Sequence, residues 1–182
     1  LAFAQHFPHL LERALVICAA DRPHPLATAW RHIQREMVQW AQSQGQPEEG
    51  LKLARALAVT TYRSEQEFSS RFAAGLGPES CLAYLEHQGK SFSRRFDPDS
   101  YLCLSRSIDT HLVEPEDIAV PVDLIGFNSD QLVTVAQLHT LHQKLTQKGF
   151  LSVVDSIYGH DAFLKEGARV SELIKHHLEQ VK

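Results

Sequence analysis

The sequence predicts an α/β protein: part of an open parallel sheet, interrupted by a large and mostly helical insertion. Three observations predict it. Two apolar runs, Val120-Pro121-Val122-Asp123-Leu124-Ile125-Gly126-Phe127 and Phe150-Leu151-Ser152-Val153-Val154-Asp155-Ser156, have the length and branched content of buried strands. Between them, Val133 to Lys148 carries Val135, Leu138, Leu141 and Leu145 at helical intervals, with His142 on the same side and a polar back face. Each run is followed by groups suited to chemistry, Asn128-Ser129-Asp130 and Gly159-His160-Asp161. Open α/β sheets place their sites beyond the carboxyl ends of their strands.

Taken in order, Leu1 to Phe7 read as the end of an amphipathic helix that Pro8 closes. The chain opens without Met or a charged leader, so the expectation is that residues precede Leu1 and that this is no signal peptide. Ala14 to Ala20 form a short apolar run bounded by Asp21-Arg22-Pro23, the pattern of a first buried strand. Helical patterns follow at Ala27 to Gln44, Glu48 to Thr60, Ser64 to Ala74, Pro78 to Phe92 and Pro98 to Asp109; Ser64 and Glu67 have capping-box spacing. A polar break at Glu114-Pro115-Glu116-Asp117 returns the chain to strand, and Lys165 to Lys182 read as a terminal helix carrying Val170, Leu173, Ile174 and Leu178. The expected organisation is sheet core over 1–24, a helical cap over 25–118, and sheet core again over 119–182. An insertion of about ninety residues far exceeds a loop and must form a layer of its own. It is expected to lie over the edge that presents Asp130 and His160.

Composition narrows the class. The chain has 182 residues, 43% of them hydrophobic, enough for a buried core. A net charge of -4 with scattered basic residues excludes an electrostatic footprint for nucleic acid or an anionic membrane. No apolar stretch approaches the ~20 residues that span a bilayer. Cys18, Cys81 and Cys103 are far apart and lack ligand spacing, which suggests reduced thiols and a cytoplasmic protein.

A histidine takes a proton from a hydroxyl efficiently when a carboxylate holds its other ring nitrogen. Asp130 and His160, each just past a strand, fit that pairing and the α/β-hydrolase chain order of nucleophile, acid, histidine. The Gly-x-Ser-x-Gly elbow that should carry the nucleophile does not occur; Gly89-Lys90-Ser91 lacks the second glycine and falls in the helical insertion. The expected serine therefore lies upstream of Leu1. Other constellations read as structural. His139 and His142 lack the Glu and third ligand of a zinc site, Asp109 with His111 reads as a loop hydrogen bond, and His176-His177 as a solvated face. No metal site and no phosphate loop is expected. Arg55 and Tyr62 would share one helix face, and pattern alone gives Arg55 a structural role.

Several segments together resemble the homoserine O-acyltransferases of methionine biosynthesis, members of the α/β-hydrolase superfamily. They are Leu53-Ala54-Arg55-Ala56-Leu57-Ala58-Val59-Thr60-Thr61-Tyr62-Arg63-Ser64, Tyr84-Leu85-Glu86-His87-Gln88-Gly89 with Phe92, Arg95-Phe96-Asp97 with Ser100-Tyr101-Leu102, Asn128-Ser129-Asp130, and Gly159-His160-Asp161-Ala162-Phe163. They occur in family order across most of the chain. The chain departs from the family pattern at Leu132-Val133-Thr134 and over Asp21 to Met37.

The resemblance implies a two-step transfer from acetyl-CoA or succinyl-CoA to the hydroxyl of L-homoserine through an acyl-serine. It implies His160 as base and acid in turn, Asp130 as its orienting acid, Arg55 for the substrate carboxylate, Tyr62 beside it, and Asp161 for the substrate ammonium. It further implies no cofactor beyond the acyl-CoA co-substrate, and a homodimer. The acyl donor stays open, as does serine in place of homoserine. Two other readings are an esterase using the same triad on water, and an inactive fragment acting as a binding module.

Overall fold

The computed structural model describes residues 1–72 and 77–180. These divide into two compact units, one formed by Leu1–His24 with His111–Lys182, the other by Pro25–Thr110.

The first unit is built on three parallel strands, β1 (Ala14–Ile17), β2 (Val122–Phe127) and β3 (Lys148–Val154), in the order β1-β2-β3. Ala14 pairs with Val122 and Ile17 with Ile125; Leu124 pairs with Leu151 and Phe127 with Val154. The central strand is buried along its whole length, because a parallel sheet covered on both faces leaves no side for water. That is why its sequence runs apolar rather than alternating. Val16, Val122, Leu124, Leu141 and Leu145 form one core cluster with Ala4, Val113, Ile118 and Val120. Cys18, Phe127, Ala162 and Val170 form a second.

The first strand is shorter than its apolar run. Cys18 takes a positive φ of 51°, uncommon without glycine, and turns the chain out of the sheet while its N–H still donates to Ile125 O. Helix α1 (Ala2–His6) precedes β1, with Pro8 opening a single tight turn.

The second unit holds helices α2 (Pro25–Ser43), α3 (Pro47–Tyr62), α4 (Glu65–Arg71), α5 (Gly77–Ser93) and α6 (Pro98–Asp109). Proline opens α2, α3 and α6, where its missing N–H costs nothing. Val38, Leu51, Ala54 and Leu102 form the core, with Phe92, Phe96 and Tyr101 against it. Asp97 caps α6 by accepting from Ser100 N, and Ser64 caps α4 by accepting from Glu67 N. The reciprocal half of the box expected at Ser64 is replaced: Glu67 Oε1 instead accepts from Arg63 and Arg71 at 2.6 and 2.7 Å. The last two residues of the helix expected over Ser64 to Ala74 lie outside the described residues, as do Val181 and Lys182.

Beyond β2, α7 (Val135–Lys144) starts on a full capping box, Thr134 with Gln137, and stops four residues before Lys148 enters β3. The helix expected through Lys148 ends at Lys144, where Leu145 turns extended. Asp123, wholly buried within β2, reaches across to β3. Its Oδ1 accepts from Phe150 N at 2.8 Å, where the β2–β3 register is irregular. A side chain on Gly149 would collide with that carboxylate, so glycine is required there. After the short α8 (Ala162–Lys165) and Glu166, the terminal helix expected from Lys165 begins instead at Gly167, as α9 (Gly167–Glu179). Its inward face is Val170, Ile174 and His177, whereas Leu178 is exposed. His177 is thus no solvated residue: it is buried and its Nδ1 meets Asp123 Oδ2.

Candidate active site

The exits of β2 and β3 bring Asp130 and His160 together. Asp130 is buried, and its backbone N–H donates to Phe127 O as the strand turns. Its Oδ1 accepts from Leu132 N and Val133 N at 2.8 and 3.0 Å, which fixes the carboxylate from behind. Its Oδ2 lies 2.7 Å from His160 Nδ1. His160 sits in the tight turn Gly159–Asp161 that follows β3, with its ring edge-on to Phe163 at 6.0 Å between centroids.

A carboxylate only accepts hydrogen bonds, so Nδ1 carries the proton and Nε2 presents its lone pair. The arrangement can therefore take a proton at Nε2 and stabilise the resulting imidazolium through Asp130. Asp161, half-buried, is the next residue in the same turn.

Cys18 also reaches this corner. One donor atom each from Cys18, Asp130 and His160 falls within 4.8 Å of the others. Burial pushes the Cys18 thiol well above its usual range, and the Asp130 carboxylate adds to the shift. A thiol that keeps its proton is a poor metal ligand and a poor nucleophile.

The second unit holds Arg55 and Tyr62. The Arg55 guanidinium stacks over the Tyr62 ring of its own helix α3 at 5.3 Å and over the Phe92 ring of α5 at 4.9 Å, two cation–π contacts. Among the described residues no carboxylate forms an ion pair with it. Tyr101, nearby in the same core, donates to Gln34 Oε1 at 2.7 Å; burial raises its phenol pKa, Tyr62 reinforces this, and Arg55, Arg35 and Arg31 oppose it.

The remaining sequence candidates resolve otherwise. Asp109 takes no part in a loop hydrogen bond with His111: Arg31 and Arg35 each approach its carboxylate to 2.6 Å. His139 is exposed, and half-buried His142 bonds Gly149 O at 3.0 Å through Nε2. The buried Asp123–His177 pair, with Arg13 Nη1 2.8 Å from Asp123 Oδ1, had no signal in the sequence, since its members are scattered along the chain. No helix among the described residues is long and apolar enough to cross a membrane.

No family model matches this chain. The homoserine O-succinyltransferase of Xanthomonas campestris is 38% identical over 180 residues, covering 96% of this chain and 49% of that protein. The structure of a homoserine O-acetyltransferase from Staphylococcus aureus superposes with a TM-score of 0.73 at 27% identity, over 92% of this chain and 51% of that one. MGS-M2, an alpha/beta hydrolase from a deep-sea metagenome library, superposes with a TM-score of 0.77 over the whole of this chain and 61% of its own, at 19% identity. The chain spans about half the length of the curated relatives it matches.

Proposed function

This chain belongs to the homoserine O-acyltransferase family, with the α/β-hydrolase fold, and we propose that it carries the acid and base of an enzyme that acylates the hydroxyl of L-homoserine from acetyl-CoA or succinyl-CoA. The observation that carries this reading is the bond between Asp130 Oδ2 and His160 Nδ1 at the carboxyl ends of adjacent strands. Family likeness supplies the substrate class, and the pair supplies a means of moving the proton.

The chemistry runs through two proton transfers. A serine hydroxyl, carried by a segment outside these 182 residues, loses its proton to His160 Nε2 as its oxygen attacks the thioester carbonyl. Collapse of the tetrahedral intermediate breaks the carbon–sulfur bond, and the departing coenzyme A thiolate takes the proton from the imidazolium. The homoserine hydroxyl then gives its proton to Nε2 while attacking the acyl-serine. Collapse releases O-acyl-homoserine and returns that proton to the serine. Asp130 holds the tautomer throughout and offsets the positive charge at each transfer.

Arg55 is assigned the homoserine carboxylate, with Tyr62 beside it. A planar guanidinium already backed by two rings and paired with no carboxylate among the described residues offers its N–H fork to an incoming one. Asp161 is assigned the substrate ammonium. The reaction needs no cofactor beyond the acyl-CoA. The homodimer is proposed from the family resemblance. Light scattering on the protein tests it; a monomer at micromolar concentration counts against it.

The test of the activity follows coenzyme A release by the full-length protein from each thioester, with homoserine, with serine and with neither. Release that requires homoserine supports the assignment. Equal release without any amino acid identifies an esterase, and release that requires serine moves the acceptor.

A further inference from the structure

We infer that Asn128 and Ser129 form a side-chain clasp that positions His160 against Asp130, with Ser129 as a positioning residue for the proton transfer; this rests on the acyltransferase reading above. Three consecutive residues leaving β2 grip the segment leaving β3 in order. Asn128 Nδ2 donates to Asp155 Oδ1 at 2.9 Å, and its Oδ1 accepts from Ser156 N at 3.0 Å. Ser129 Oγ donates to Ser156 O at 2.6 Å and accepts from Gly159 N at 3.0 Å. Asp130 then meets His160. Adjacent residues on one loop thus hold adjacent residues, Gly159 and His160, on the other.

The clasp takes over where the sheet ends. Strand pairing stops at Phe127 with Val154, and Asn128 N to Val154 O at 3.2 Å is the last main-chain bond between the two exits among the described residues. Beyond it the side chains of Asn128, Ser129 and Asp130 each reach the segment leaving β3. Ser129 uses its single hydrogen and a lone pair to span the turn from Ser156 to Gly159. Gly159 has a φ of 61°, which glycine adopts as readily as a negative one, so contacts rather than its own backbone preference select the turn that delivers His160. Asp130 is fixed independently by Leu132 N and Val133 N. Losing the Ser129 hydroxyl therefore lets the imidazole drift while the acid stays in place. Displacement of a catalytic group by about 1 Å can cost about 100-fold in rate.

Ser129→Ala and Asn128→Ala in the full-length protein test the clasp by steady-state kinetics and by proton NMR of the low-field signal from the Nδ1–H of His160, identified by its loss in His160→Gln. Ser129→Ala is expected to lower kcat by about 10-fold or more with the KM for homoserine within about twofold, and to weaken or broaden that signal. Asn128, exposed at the surface, gives a variant that does not threaten the core, and Asn128→Ala is expected to show a smaller change in the same two readouts. An unaltered low-field signal with unaltered kcat in either variant overturns the clasp. Absence of acyl transfer in the wild-type protein defeats the activity instead, and the NMR signal still decides the clasp by itself.

Discussion

His177 and Asp123 face each other 2.5 Å apart at the amino end of β2, while Asp130 and His160 pair beyond its carboxyl end. One strand thus anchors two imidazole–carboxylate pairs. They differ in what else the carboxylate holds. Asp123 is wholly buried and also accepts from Arg13 and Phe150 N, so it ties β2 to β3, to α9 and to the residue before β1. Asp130 is backed by the local N–H groups of Leu132 and Val133, and its histidine is a quarter exposed.

The inner pair is structural, and its loss should show in stability. Asp123→Asn removes the carboxylate that partly buried Arg13 and buried His177 share, and breaking a buried pair of this kind costs about 3–5 kcal/mol. Urea unfolding of the variant should show a large fall in midpoint, with acyl transfer per folded molecule retained. A midpoint equal to wild type would mean that the pair holds nothing together.

In the helical unit Asp109 predicts a pH effect. Burial pushes its carboxyl up, but hydrogen bonds and charge from Arg31 and Arg35 outweigh this, and the net shift is downward from the ordinary 3.8. A depressed carboxyl stabilises the fold above its ordinary value, and that stabilisation disappears as pH falls through the lower native value. Asp109→Asn should therefore be less stable than wild type at neutral pH, with the gap closing in strong acid. A gap that stays constant from pH 7 to pH 2 contradicts the assignment.

Arg55→Lys keeps the charge but loses the planar fork and its stacking on Tyr62 and Phe92. If Arg55 holds the substrate carboxylate, the KM for homoserine should rise about 10-fold or more, in line with the ~1.5–3 kcal/mol of a charged hydrogen bond. The KM for acyl-CoA should change little. Steady-state kinetics with each substrate varied in turn reads both, and an unchanged homoserine KM removes Arg55 from the site.

The sheet was legible because parallel strands buried on both faces write themselves as apolar runs, and β2 and β3 carry the clearest two. The pairing of Asp130 with His160 was legible because both stand just past such runs. What escaped depends on partners distant in sequence. His177 looked solvated beside His176, and only Asp123, far upstream, makes its burial tolerable. Leu178 fits the apolar repeat of α9 yet faces water, because the inward face runs through Val170, Ile174 and His177 and leaves Leu178 at its edge. Asn128 and Ser129 stood next to the acid, but their bonds to Asp155, Ser156 and Gly159 exist only once both loops are placed. Thr134 and Gln137 carry a local capping signal that sequence reasoning passed over in starting the helix two residues early, at Val133.

The central claim is that His160, held by Asp130, moves the proton in both halves of acyl transfer. The direct measurement is the rate of homoserine-dependent coenzyme A release by the full-length protein with His160→Ala, set beside wild type and with circular dichroism confirming an unaltered fold. The account predicts a fall in kcat of about 10,000-fold, the scale seen when a triad's base is disabled. Turnover within about tenfold of wild type would contradict it.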